Sequence, residues 1–90
     1  MGIALFKFKL MPESPEIDFE DLKKVATDSI EKITGKITGF EEQEIGFGLK
    51  ALIVSVRIQE AVGSDSVENA LNSLPGVSSM DMIDYRRAIE

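Results

Sequence analysis

Apolar and polar residues alternate through the middle of the chain. Leu52, Val54, Val56 and Ile58 fall on one side, and Ala51, Ile53, Ser55 and Arg57 on the other. Successive side chains of a strand point to opposite faces, so this stretch predicts a strand apolar on one face and half apolar on the other. Such a strand belongs in the middle of a sheet. A second alternating run spans residues 3 to 10, with Ala4, Phe6, Phe8 and Leu10 on one face and Ile3, Leu5, Lys7 and Lys9 on the other. Pro12 and the pair Ser14-Pro15 are expected to end it.

The period then changes. Leu22, Val25, Ala26, Ile30 and Ile33 recur at helical spacing, while Glu20, Lys23, Lys24, Asp28, Glu31 and Lys32 take the wet side. Asp18 is the predicted N-cap, Ile17 and Leu22 are placed as a hydrophobic staple, and Gly35 is the predicted stop. Lys36 to about Glu44 reads as a weaker strand, interrupted by Gly39 and crowded with Glu41, Glu42 and Glu44, as suits a sheet edge. Beyond the strong central strand, Ala61-Val62-Gly63 predicts a turn. Ser64 or Asp65 is expected to cap a short helix that buries Val67, Ala70, Leu71 and Leu74 and stops at Pro75-Gly76. Val77 to about Arg86 is a mixed strand and the other expected edge. The order is β-α-β-β-α-β. One four-stranded antiparallel sheet with both helices on one face is the ferredoxin-like α+β arrangement, with its first and third strands central. The two most apolar strands are the first and third.

The 90 residues suffice for one domain, taken as 1–90. No segment repeats, and none is of low complexity. The absence of cysteine and histidine removes disulfides, thiol nucleophiles, thiolate and imidazole metal sites and the usual general base at neutral pH. The missing cysteines fit a cytoplasmic protein. No run is long and apolar enough to span a bilayer, and the first ten residues, with Lys7 and Lys9 among them, read as a strand rather than a signal peptide. A net charge of −6 argues against attraction to nucleic acid or anionic membrane through the overall field, and favours a basic partner surface.

Few residues suggest chemistry. Glu41, Glu42 and Glu44 read as a solvated edge, no calcium-loop spacing is present, and no Ser, Thr or Tyr has a base beside it. Neither bond-making catalysis nor a cofactor is expected. Gly46-Phe47-Gly48, leading into the third strand, resembles the central motif of RNA-recognition domains. Yet Ile45 stands where a basic residue is needed, and Leu49 and Leu52 where stacking aromatics are needed. Phe47 between two glycines is either a core residue on a loose mount or a tip offered to a partner. Arg86 and Arg87 stand out near the end of an acidic chain; they are either solubilising charges or a binding element. Lys50, beside the Phe47 loop, is open to the same two readings.

Together these segments resemble one family. Ile45-Gly46-Phe47-Gly48-Leu49-Lys50-Ala51-Leu52 is similar to the Gly-Phe/Tyr-Gly-Ile-Lys-Lys-Leu signature of elongation factor 1-beta, the guanine-nucleotide exchange factor for elongation factor 1-alpha. In register with it, Lys9-Leu10-Met11-Pro12 resembles the family's Val-Lys-Pro segment. Val62-Gly63-Ser64-Asp65 resembles its Val-Gly-Thr-Asp turn, and Val77-Ser78-Ser79-Met80-Asp81-Met82 its last strand. The resemblance covers essentially the whole chain and implies the short, free-standing archaeal form. It also implies a cytoplasmic monomer whose partner is the GDP-bound GTPase elongation factor 1-alpha, with no nucleic acid or membrane bound directly. By the same resemblance Phe47, with Gly46, Gly48 and Lys50, is a docking element, and Arg87 or Arg86 is the cation that reaches the magnesium and phosphate region. Eukaryotic members carry lysine at the position of Arg87, a bulky, planar and permanently charged group here. Two alternatives share the topology: a dimeric small-molecule-sensing module and, behind it, an RNA-binding domain.

Overall fold

The computed structural model describes residues 2–14, 16–46 and 48–88. Its elements are β1 (Ile3–Pro12), α1 (Phe19–Lys32), β2 (Lys36–Gly46), β3 (Leu49–Gln59), a short 3-10 turn (Glu60–Val62), α2 (Ser64–Asn72) and β4 (Val77–Ala88). The sheet order is β2-β3-β1-β4, and every neighbouring pair is antiparallel. This is the ferredoxin-like α+β fold, with the two most apolar strands in the middle and the charged ones at the edges.

Alternation decides which side chains are buried. Ala4, Phe6, Phe8 and Leu10 of β1 and Leu52, Val54, Val56 and Ile58 of β3 share one face and form a single core with Leu22, Ala26 and Ile30 of α1 and Val67 and Leu71 of α2. Both helices therefore cover the same side of the sheet. Phe6 and Phe8, two positions apart on β1, stack with ring centroids 5.7 Å apart. On the uncovered side, Ala51 and Ile53 are nevertheless buried. Ile53 lies between its cross-strand neighbours Lys9 and Glu41, whose stems can lie over the pleat while their charges stay in water.

Asp18 caps α1 as expected, accepting the Glu20 N–H at 2.9 Å. Several boundaries differ from the sequence reading. β1 runs on to Pro12 because the proline sits at its end, at a register shift opposite Val77, where a missing N–H is tolerated. Gly35 is not the reversing residue after α1. Thr34 takes the positive φ of 65°, and Gly35 donates to the Ile30 carbonyl at 3.0 Å. A Cβ on Gly35 would stand 2.8 Å from the Ile30 side chain, so the glycine is needed there for close packing. α2 has Gly63, not Ser64 or Asp65, as its N-cap, and no side chain caps it. The preceding 3-10 turn brings the chain in at φ 84°, ψ 155°, a backbone suited to glycine. β2 absorbs the irregularity expected at Gly39 as a register shift between Ile37 and Gly39 and continues to Gly46.

β4 reaches Ala88, two residues beyond the expected end, and carries a register shift that matters for the site. Met82 pairs with Phe8 and Asp84 with Lys7, which leaves Ile83 as an extra residue in the ladder. Residues on either side of a bulge keep their faces only if the extra residue is counted. Met82, Tyr85 and Arg87 consequently lie on the helix side with Phe8, Phe6 and Ala4, and Asp84 and Arg86 lie on the open side with Lys7 and Leu5.

Candidate functional site

The sheet has two ends, and the predicted site residues divide between them. The β2–β3 hairpin forms one end. Gly46, at φ 100°, pairs with Leu49, and Gly48 has φ 76°; nothing lies within 4 Å of where a Cβ on either would stand. Two positive-φ residues in open space make a tight, sterically unencumbered tip. Phe47, between them, lies outside the described residues. Lys50 follows on the helix side of β3, half exposed, with Nζ 3.7 Å from Glu42 Oε1. Glu42 also meets Lys23 of α1 at 3.9 Å, and Lys23 lies 5.8 Å over the Phe40 ring. One of the glutamates expected on a plain solvated edge thus ties the hairpin to α1. A shallow depression of 330 Å³ lies beside it, lined by residues including Ile17, Phe19, Gly48 and Lys50.

The other end holds the arginines. Arg87 is opposite Ala4, which is opposite Ile58 near the far end of β3. Leu49 to Ile58 is nine steps along the strand, so the hairpin tip and Arg87 are about 30 Å apart at 3.3 Å per step. The molecule is 43 Å in its longest dimension. These two groups of site residues therefore sit near opposite ends of the sheet and cannot converge on one small ligand.

Arg86 and Arg87, adjacent in sequence, face opposite ways. Arg86 lies on the open face beside Leu5, in a row that continues through Arg57 to Lys36, and its Nε is 3.3 Å from Asp84 Oδ2. Arg87 lies on the helix face and meets Glu60 side-on, Nε to Oε1 at 2.5 Å and Nη2 to Oε2 at 3.1 Å. The Glu60 hydrogen bond and charge hold the Arg87 guanidinium above its ordinary pKa, so it stays charged at any accessible pH.

Beside this pair is a groove of 510 Å³, floored by Ala4, Phe6, Met82 and Tyr85 and rimmed by Glu60, Ser64 and Arg87. α2 is only nine residues long and leaves this corner of the sheet uncovered. Tyr85 tilts over Phe6 with centroids 5.0 Å apart and stays half exposed, with Met82 and Ile83 also exposed. Glu60 and Tyr85 did not stand out in the sequence. Glu60 is 27 residues from Arg87, and only the β3-β1-β4 pairing brings them together.

The open face carries no aromatic ring on β1 or β3 for stacking bases, because Phe6 and Phe8 are committed to the core. Among the described residues no group of three or more Asp or Glu is placed to hold a metal ion. No helix of these residues is long and apolar enough to cross a membrane.

Residues 5–88 match the family described as the EF-1 guanine nucleotide exchange domain. The chain belongs to that family. Its relatives include proteins named elongation factor 1-beta from three archaea. That of Methanoregula boonei is 40% identical over 85 residues, covering 93% of this chain and 95% of the relative. That of Methanothermobacter thermautotrophicus is 39% identical over 88 residues, 97% and 98% of the two chains. That of Halorubrum lacusprofundi is 40% identical over 81 residues, 89% and 91%. Membership in the EF-1 exchange family assigns this fold to guanine-nucleotide exchange in translation elongation.

Proposed function

We propose that residues 1–90 act as one exchange domain, a cytoplasmic monomer that binds GDP-bound elongation factor 1-alpha along its length and loosens the nucleotide. The observation that carries this reading is the separation of about 30 Å between the Gly46–Gly48 hairpin and Arg87. A span of that size suits contact with two domains of one GTPase. The hairpin, whose sequence carries Phe47 between its two glycines and which has Lys50 behind it, is the docking end. Arg87 is the working cation, because it borders the groove and its outer edge is exposed, whereas Arg86 faces the other side of the sheet.

Nucleotide and metal are held in a GTPase largely by charge neutralisation around the phosphates. A guanidinium brought to that region competes for the same oxygen ligands and weakens their hold on the nucleotide. By reciprocity the nucleotide weakens the grip of the factor equally, so GTP entry ends the cycle and releases it. No covalent bond changes, and this chain supplies only a docking surface and a positioned charge. Neither nucleic acid nor membrane takes part.

Release of fluorescent GDP from archaeal elongation factor 1-alpha, in excess GTP with substoichiometric factor, tests the reading. Multi-turnover acceleration is expected. Arg87→Ala should slow it about tenfold or more, as for loss of a charged hydrogen-bonding group. Absence of acceleration across a range of magnesium concentrations would overturn the exchange role on this GTPase.

A further inference from the structure

The side-on geometry at Arg87 has a consequence for how its charge is offered. A guanidinium has five N–H donors in a rigid planar fork. Glu60 takes Nε–H and one N–H of Nη2, which leaves three N–H groups free of it, two of them, one each on Nη1 and Nη2, forming the end-on edge. That edge can grip a second oxyanion with two parallel hydrogen bonds while the first remains in place. The exposures agree with this division, since the Arg87 side chain is 67% accessible and that of Glu60 only 29%.

Glu60 is itself fixed by its backbone. It opens the 3-10 turn directly after β3, donates its N–H to the Gly2 carbonyl at 3.1 Å, and accepts the Gly63 N–H at 3.1 Å. Gly2 makes room for the carboxylate, since a Cβ there would stand 2.5 Å from Glu60 Cδ and Oε1. An exposed ion pair of this kind adds little to stability. Its effect is to remove rotamer freedom from a long side chain in advance, a cost otherwise met when the guanidinium engages the nucleotide site in the exchange step.

We infer that Glu60 is a positioning residue for exchange, holding Arg87 so that its outer edge meets an oxyanion of the GTPase's nucleotide site. This rests on the role given to Arg87 above. The alternative, that only the amount of positive charge matters, has the opposite sign: removing Glu60 would unmask Arg87 and speed exchange. The effect of one substitution therefore separates placement from charge.

The test is the GDP-release assay with the full chain, titrating the factor to obtain both a maximal rate and a half-saturating concentration. Glu60→Gln keeps the shape and removes the charge. It should lower the maximal rate about three- to tenfold, the scale of leaving one long side chain to be ordered in the exchange step, and change the half-saturating concentration by less than about twofold. In an Arg87→Lys background there is no fork to orient, and Glu60→Gln should change the rate by less than about twofold. Gly2→Ala, which crowds the carboxylate, should give a partial loss in the same parameter. A Glu60→Gln protein as fast as wild type, or faster, overturns the inference, as does an equal loss in the Arg87→Lys background. If Arg87→Ala itself exchanges at the wild-type rate, the role of Arg87 fails. If Arg87→Ala is slow while Glu60→Gln is normal, only the positioning role fails.

Discussion

Arg86 and Arg87 show how much one position along a strand can decide. They have the same chemistry and adjacent numbers, yet one faces the groove with Glu60 and the other lies on the open sheet with Asp84. Composition and charge treat them as a pair, and the sequence reading left open which of the two acts. Face assignment needed the pairing of β4 with β1, including the extra residue at Ile83. The two substitutions should therefore differ. Arg86→Ala, which removes an exposed cation paired with a neighbouring aspartate, should leave GDP release within about twofold of wild type, as expected for a surface ion pair. Equal losses from Arg86→Ala and Arg87→Ala in that assay would mean that the end of the sheet acts as a diffuse charge rather than through one oriented group.

At the scale of elements, periodicity carried most of the fold. The alternation in residues 3–10 and 51–58, the helical spacing of Leu22, Ala26 and Ile30, and the Asp18 cap are local signals, and the core and α1 follow from them. Signals that depend on a partner element were not legible in this way. Gly35 looks like a helix stop but serves close packing on Ile30 and on Ile58 of β3, an arrangement made only once β3 and α1 are in place. Thr34 carries the reversal instead, at φ 65°. A β-branched residue in the left-handed region costs about 1–2 kcal/mol, and glycine there costs about 0.5–1 kcal/mol in chain entropy. Thr34→Gly should therefore raise stability by roughly 0.5 kcal/mol, seen as a higher urea midpoint with an unchanged slope. A lower midpoint would show that the Thr34 hydroxyl bond to the Ile33 carbonyl, at 2.6 Å, outweighs the backbone strain. The hairpin lies between these cases, because its two glycines announced an unusual turn but not which way its tip is presented.

For the molecule as a whole, one small core carries a sheet with work at both ends. Phe8 is fully buried and stacked on Phe6. Truncation to alanine costs about 3–5 kcal/mol, a large part of the roughly 5–13 kcal/mol expected for a domain of this length. Phe8→Ala should therefore lower the denaturation midpoint sharply and bring exchange down with it. Retained activity at the lower midpoint would separate the core's contribution from the geometry of the ends. The cooperative unit matters because the hairpin and Arg87 are joined only through β3 and its neighbours. A rigid sheet fixes their separation as a rod fixes the distance between two hands.

The extra residue at Ile83 bears on how relatives of this chain should be compared. Because each step along a strand exchanges front for back, the bulge resets the odd–even count between the buried part of β4 and its cationic end. Tails that differ in length by a single residue would misassign the groove-facing position if matched by distance from the terminus. The equivalent basic side chain in a homologue is found by parity from Met82 through the bulge. By that rule a lysine or arginine two places beyond the Tyr85 position is the counterpart of Arg87, whatever number of residues follows it.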